Sequence, residues 1–241
     1  MTEILFDHNL LNFIDSSALS SLPLTYLILS NNQLESISFI TFPSSLSYLI
    51  ANDNAITSLS ALHFTDPDSN SLEELRLFNN PISNISTDAF SSLTKLQTLD
   101  LLNTSVSSFD NVKFPPSLTG LTLSNNTKLT SIEGIGLYRC LQLTVLQLAN
   151  TAITDIFNYV LPSSLIYLDL SNTQLTRLPQ ALSTLTHLEH LDLRDVHTLN
   201  CTCDLALESW YQKNIVGKNI IVGRCSSGED ITQFLGKCWT T

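Results

Sequence analysis

One spacing of apolar residues, Leu-x-x-Leu-x-Leu-x-x-Asn-x-Leu-x-x-Leu, recurs nine times and occupies nearly everything before Asn200. The clearest copy is Leu24, Leu27, Leu29, Asn32, Leu34, Ile37, and the others start at Met1, Leu46, Leu72, Leu96, Leu118, Leu143, Leu165 and Leu188. Successive starts are 23, 22, 26, 24, 22, 25, 22 and 23 residues apart. A step held this constant specifies a stack of similar coils, each resting on its neighbours, rather than a globule around one centre. Function must then be sought on a surface.

Within a coil, Leu27-x-Leu29 alternates as a short strand does, which places Leu27 and Leu29 inward and Tyr26, Ile28 and Ser30 outward. The asparagine that follows carries both a donor and an acceptor, so it serves backbone groups of its own coil and the next. Asn9, Asn32, Asn54, Asn80 and Asn126 form this ladder; Thr104, Thr151 and Thr173 replace it in three copies, and Val196 breaks it near the end of the array. Strands of successive coils pair in parallel, which predicts one long curved sheet of nine short strands.

The return segments are of two kinds. Phe42-Pro43-Ser44-Ser45-Leu46, Phe114-Pro115-Pro116-Ser117-Leu118 and Leu161-Pro162-Ser163-Ser164-Leu165 are compact, proline-fixed turns. Ala89–Leu93 and Ala181–Leu185 suit a helical or 3₁₀ turn, and Asp66-Pro67-Asp68-Ser69-Asn70 is an extra loop inside the 26-residue step.

The tail changes character: Cys201-Thr202-Cys203-Asp204-Leu205, then Trp210, Cys225 and Cys238. Repeats and tail together resemble an extracellular leucine-rich repeat domain with a cysteine-flanked C-terminal cap. That resemblance spans the chain and implies an α/β fold: a right-handed leucine-rich repeat solenoid, or horseshoe, with a parallel concave β-sheet, an irregular or 3₁₀ convex side and a disulfide-bonded cap. It divides the chain into a repeat array over 1–199 and a cap over 200–241. By the pairing in that family, first to third and second to fourth, the bonds would be Cys201–Cys225 and Cys203–Cys238. Two departures stand out: the usual Asn-Pro-Trp is missing between Leu193 and Cys201, and the step from Cys225 to Cys238 is short. Cys-x-Cys also lacks the two-residue gap of zinc knuckles, which favours disulfides over a metal. Cys140 is left over and reads as a buried free thiol.

Sequons for N-glycosylation at Asn84, Asn103, Asn125 and Asn200 are a second sign of an oxidising compartment, each weak by itself. Glycans on Asn103 and Asn125 would crowd the sheet rim, and Asn200 adjoins Cys201. No secretory signal, N-terminal cysteine cap or transmembrane stretch is visible, and Met1 already fills an apolar position of the first coil. The expectation is therefore a segment of a longer extracellular chain, secreted or the ectodomain of a membrane protein.

With 22 acidic against 11 basic residues and a net charge of −11, the field repels nucleic acid and anionic membrane surfaces. The outward columns of the predicted sheet supply the candidate ligand-binding residues: Tyr26, Ile28, Tyr48, Ile50, Arg76, Phe78, Asp100, Gln147, Tyr167, Asp169, His190 and Asp192. Tyr26, Ile28, Tyr48 and Ile50, continued by Phe78 and Leu102, form an apolar and aromatic patch of the kind that anchors interfaces. β-propensity and an uncovered edge also account for such residues. Asp100, Asp169, Asp192 and Asp195, with Arg76 and Arg194, form an acidic stripe, which either selects a basic ligand or is a solvated face.

Catalytic chemistry finds no foothold. His187-x-x-His190 places the two rings on opposite sides of a strand, Asp66-x-Asp68-x-Asn70 lacks the glycine and glutamate of a calcium loop, and Gly134-x-Gly136 reads as a turn. Neither cofactor nor metal is called for. The expected function is non-catalytic recognition of a protein, peptide or glycan on the concave face of a cell-surface receptor or secreted protein. A self-associating adhesion module and a secreted inhibitor of an extracellular enzyme are the alternatives. The Pro-Ser-Ser-Leu style also resembles ectodomains of receptor-like kinases.

Overall fold

The computed structural model describes residues 2–133, 136–156, 161–214 and 220–238. Met1 of the first repeat and Gly134 of the Gly134-x-Gly136 turn lie outside the described residues. The chain winds as a parallel β-solenoid. Strands Glu3–Leu5, Tyr26–Ile28, Tyr48–Ile50, Glu74–Arg76, Thr98–Asp100, Gly120–Thr122, Val145–Gln147, Tyr167–Asp169 and His190–Leu193 pair in chain order. Their register is strict, Ile4 to Leu27 to Leu49 and onward through Leu75, Leu99, Leu121, Leu146 and Leu168 to Leu191. The expected count of nine strands is one short. Ile220–Gly223 in the cap adds a tenth, parallel to His190–Leu193. It has no repeat signature, which is why the periodicity does not reveal it.

The core is a continuous column of side chains. Leu24, Leu27, Leu29, Leu34 and Ile37 of the second coil are fully buried, and their counterparts in later coils are buried too, apart from the half-buried Ile85. Phe42 packs on Phe64, and Phe90 stacks on Phe114, lining the convex side of the same core. Two short bridging pairs lie on that side, Thr41–Phe42 with His63–Phe64 and Ser58–Leu59 with Asn84–Ile85. Among the described residues the rest of that side is turns, irregular segments and the 3₁₀ segments Pro67–Ser69, Leu137–Arg139 and Gln180–Thr184. Ala181 thus sits in a 3₁₀ turn, whereas the segment around Ala89 is a run of single turns closed by bonds such as Leu93 N–H to Phe90 O at 3.1 Å.

The Pro-Ser-Ser-Leu returns have a physical purpose. The serine before the leucine donates its hydroxyl to the leading leucine carbonyl of the preceding coil: Ser45 to Leu24 at 2.6 Å, Ser117 to Leu96 at 2.8 Å and Ser164 to Leu143 at 2.7 Å. Proline sets the turn that aims it, closed by Leu46 N–H on Pro43 O and its equivalents.

The asparagine ladder is the main transverse tie. Asn80 donates to the carbonyls of Ala51 and Leu77 at 2.9 Å each and accepts Ile56 N–H at 3.1 Å. Asn32 and Asn54 repeat the arrangement on the coils before theirs. Asn9 does not join it: exposed in the first coil, it bonds only the carbonyls of Phe6 and Asp7. Thr151 and Thr173 bond only within their own coil, to Leu148 and Leu170, because a hydroxyl is too short to span two. Thr104 instead meets the side chain of Asn126.

The last coil is sealed by helix α1 (Leu205–Asn214) and helix α2 (Ile231–Cys238). Leu207, Trp210, Ile221, Ile231 and Leu235 are buried against the array, removing its flat apolar end from water. Disulfides Cys201–Cys225 and Cys203–Cys238 pin this lid, with Cα separations of 5.5 Å in both. Cys140 is free and fully buried. Desolvation pushes its thiol up to about 11.

Candidate functional site: the concave face

Parallel register arranges the outward residues in columns. One runs Glu3, Tyr26, Tyr48, Glu74, Thr98, Gly120, Val145, Tyr167, His190; the next runs Leu5, Ile28, Ile50, Arg76, Asp100, Thr122, Gln147, Asp169, Asp192. At the N-terminal end, the rings of Tyr26 and Tyr48 tilt at 46° with centroids 5.5 Å apart. Ile28 and Ile50 lie beside them in the adjoining column, half-buried, and Leu5 is 61% exposed. Phe78 is also half-buried and its N–H is held by Asn52 at 3.0 Å. These residues make one contiguous apolar and aromatic area on a pleated, rigid support.

The middle is polar. Arg76 is exposed and paired with Glu74, and Asp100 stands opposite Arg76 in register. Burial pushes the Asp100 carboxyl above its ordinary range, against the Leu102 N–H at 3.0 Å and the nearby Arg76 charge. Gln147 accepts the Thr122 hydroxyl at 2.9 Å.

Toward the cap, Tyr167 and His190 have ring centroids 6.0 Å apart. Asp169 is tied to the backbone and hydroxyl of Ser171. Asp192 is only 6% exposed and takes a two-pronged pair from Arg194, with Nε at 3.0 and 2.9 Å from its two oxygens. Desolvation, then the charges of Asp169 and Asp192, raises the Tyr167 hydroxyl. The acidic stripe is therefore interrupted: Asp192 is neutralised and buried, and Asp195 leaves the face for the rim at φ 59°. His187 lies before the His190–Leu193 strand and contacts Ser163 O at 3.0 Å.

Two features escape the periodicity argument. The third outward column is partly buried, since Ser30, Asn52 and Ser124 bond the backbone of adjacent coils. The second is a rim. His8, Asn31, Asp53, Asn79, Asn103, Asn125, Asn150, Asn172 and Asp195 all have φ between 51° and 61° at the residue where the chain leaves the sheet. Asparagine and aspartate tolerate that left-handed conformation better than other residues with a Cβ. The signal was present as doublets: in Asn31-Asn32, Asn79-Asn80 and Asn125-Asn126, the first residue turns the chain and the second enters the ladder. The sequons divide accordingly. Asn103 and Asn125 are rim residues, whereas Asn84 is exposed in a bridging strand on the convex side and Asn200 is exposed at the start of the cap.

Leucine-rich repeat family models match residues 142–195 and, as two copies, 70–113. With the solenoid, these matches identify the class as leucine-rich repeats, and the two disulfides near the C-terminus fit a cysteine-flanked cap. No curated protein matches its sequence. Among solved structures it is similar to an internalin from Listeria monocytogenes, at 22% identity and TM-score 0.55 over 93% of this chain and 68% of that one. It is also similar to the leucine-rich repeat domain of APL1B, at 19% identity and TM-score 0.64 over 89% of this chain and 66% of that one. Against Toll, in the Drosophila Toll–Spatzle complex, identity is 23% and TM-score 0.62 over 92% of this chain, which spans 32% of that one. At such identities the likeness is one of fold.

Proposed function

We propose that this is a non-catalytic recognition domain of an extracellular protein, holding a protein partner on its concave face. The observation that carries the reading is the contiguous patch of Tyr26, Ile28, Tyr48 and Ile50, presented on paired strands with its tyrosines in mutual contact. Rigid aromatic and branched side chains give up little entropy on binding and are the usual anchors of protein interfaces. Glu74, Arg76 and Asp100 beyond the patch supply a polar margin that fixes orientation. The two cystines support an oxidising compartment. Toll, whose fold is similar, is in complex with Spatzle.

The test is a binding screen of the domain against a panel of secreted and cell-surface proteins, followed by Tyr48→Ala on each hit. Removing a central anchor is expected to cost about 2 kcal/mol, or roughly thirtyfold in Kd. Phe39→Ala, which removes an aromatic that is 76% exposed on a return segment, is expected to leave affinity unchanged. Equal effects of both variants would reject the concave patch as the interface. Concentration-dependent sedimentation abolished by Tyr48→Ala would identify a second copy as the partner.

A further inference from the structure

The left-handed rim residues do more than turn the chain. Their side chains bond to one another from coil to coil: Asn79 donates to Asp53 at 2.8 Å, Asn103 to Asn79 at 2.8 Å, Asn150 to Asn125 at 2.7 Å, and Asn172 to Asn150. These bonds make two runs, Asp53 to Asn103 and Asn125 to Asn172, and the rim residues from Asn103 to Asn172 line a groove of about 440 Å³ together with Thr127 and Gln174. Asn103, Asn150, Asn172, Thr127 and Gln174 are exposed there, and Asn125 is half-buried.

The chemistry of the lining is narrow. No lining side chain carries a charge, although the chain as a whole has a net charge of −11. Neither an anion nor a cation finds a counter-charge in the groove. It has no large apolar side chain either, so it lacks the anchor pocket a protein partner requires. What it offers is a row of carboxamides and hydroxyls, each both donor and acceptor. The matching ligand has groups of the same dual character at regular intervals and no charge. Successive coils repeat about every 4.8 Å along a sheet, a spacing suited to the units of an extended sugar chain. Because Asn103 is held by Asn79, and Asn150 by both Asn125 and Asn172, the row is held in place before a ligand arrives.

We propose that the rim groove is a second binding site, for a neutral oligosaccharide lying across the coils from Asn103 to Asn172. It adjoins the concave face but shares no residue with the apolar patch, so it stands or falls independently of the protein-recognition reading.

Calorimetric titration of the domain with neutral glucan, mannan and chitin oligosaccharides of increasing length tests it. Saturable binding is expected with at least one series, strengthening up to about four units, the length of the groove, then levelling off. Asn150→Asp is expected to weaken that binding by about tenfold or more. This variant keeps the fold, since Asp53 and Asp195 already occupy equivalent left-handed positions. Gln174→Ala provides a second variant outside the ladder, with a loss of the same sign. Tyr48→Ala is expected to bind the sugar as well as the parent does. Absence of saturable binding by every series up to about 1 mM would overturn the proposal, as would full affinity in Asn150→Asp. A glycan found by peptide mapping on Asn103 or Asn125 would overturn it too, because the groove would then be the seat of the chain's own sugar.

Discussion

Replacing Asn80 by alanine is expected to be among the most damaging single changes in the array. Asn80 is 1% exposed, and its carboxamide meets four backbone groups: the carbonyls of Ala51, Leu77 and Phe78, and the N–H of Ile56. Two of these keep other donors in the variant, because Ala51 O is also reached by Asn54 and Phe78 O by Asp53 N–H. The Leu77 carbonyl and the Ile56 N–H lose the partner that Asn80 gave them, and both residues are fully buried. A buried polar group left unsatisfied costs about 1–3 kcal/mol, so Asn80→Ala is expected to lower stability by about 4 kcal/mol. Asn80→Thr discriminates mechanism from mere cavity formation. By analogy with Thr151 on Leu148 O, its hydroxyl would recover Leu77 O and leave only Ile56 N–H orphaned. About half the loss should return. Equilibrium urea unfolding followed by circular dichroism, with slopes compared across the three proteins, measures this. A loss below about 1 kcal/mol for Asn80→Ala, or no difference between alanine and threonine, would refute the idea that backbone satisfaction holds the coils together.

Three further expectations follow from particular contacts. Gly223 has φ 149°, and a Cβ there would stand 2.7 Å from the Leu193 carbonyl oxygen; Gly223→Ala is expected to loosen the tenth strand and cost about 2–4 kcal/mol, read by hydrogen exchange in Ile220–Gly223. Because burial raises the Asp100 carboxyl, the folded chain binds that proton up to a higher pH than the unfolded chain does. Stability from this site therefore falls as pH rises through the window between the two values, and Asp100→Asn should be more stable above it and flatten the slope. Finally, the unreduced native protein should show no reactive thiol and one after unfolding, that of Cys140, while reduction of the Cys201–Cys225 bond should cost about 3.5 kcal/mol; a reactive thiol in the native state would contradict the burial of Cys140.

Much of the fold is legible because the solenoid is written in a periodic code. The inward leucines, the parallel register and the two outward columns follow from a strict alternation at a nearly constant step. The cap's tenth strand does not, because Ile220–Gly223 joins the sheet through a single edge and repeats nothing before it. Ser30, Asn52 and Ser124 are buried where alternation places them outward, since each finds backbone of a neighbouring coil to bond. The candidate site was legible as positions rather than as states. Tyr26 and Tyr48 fall side by side in register, but the neutralisation of Asp192 by Arg194 depends on two residues separated by one inward leucine, which a column by column reading treats as independent. The rim is not legible in the same way, because its asparagines stand one residue before the ladder positions and belong to no apolar alternation. Which member of an Asn-Asn doublet faces water depends on one left-handed backbone angle that no periodicity encodes.

Amide hydrogen exchange of the domain, free and saturated with a protein hit from the binding screen, puts the central claim to its most direct trial. Slowed exchange is expected in Tyr26–Ile28, Tyr48–Ile50 and Glu74–Arg76, with the convex segments 63–69 and 84–93 unchanged. Protection confined to the convex segments or to the cap, with those three strands exchanging as in the free domain, would contradict recognition through the concave face.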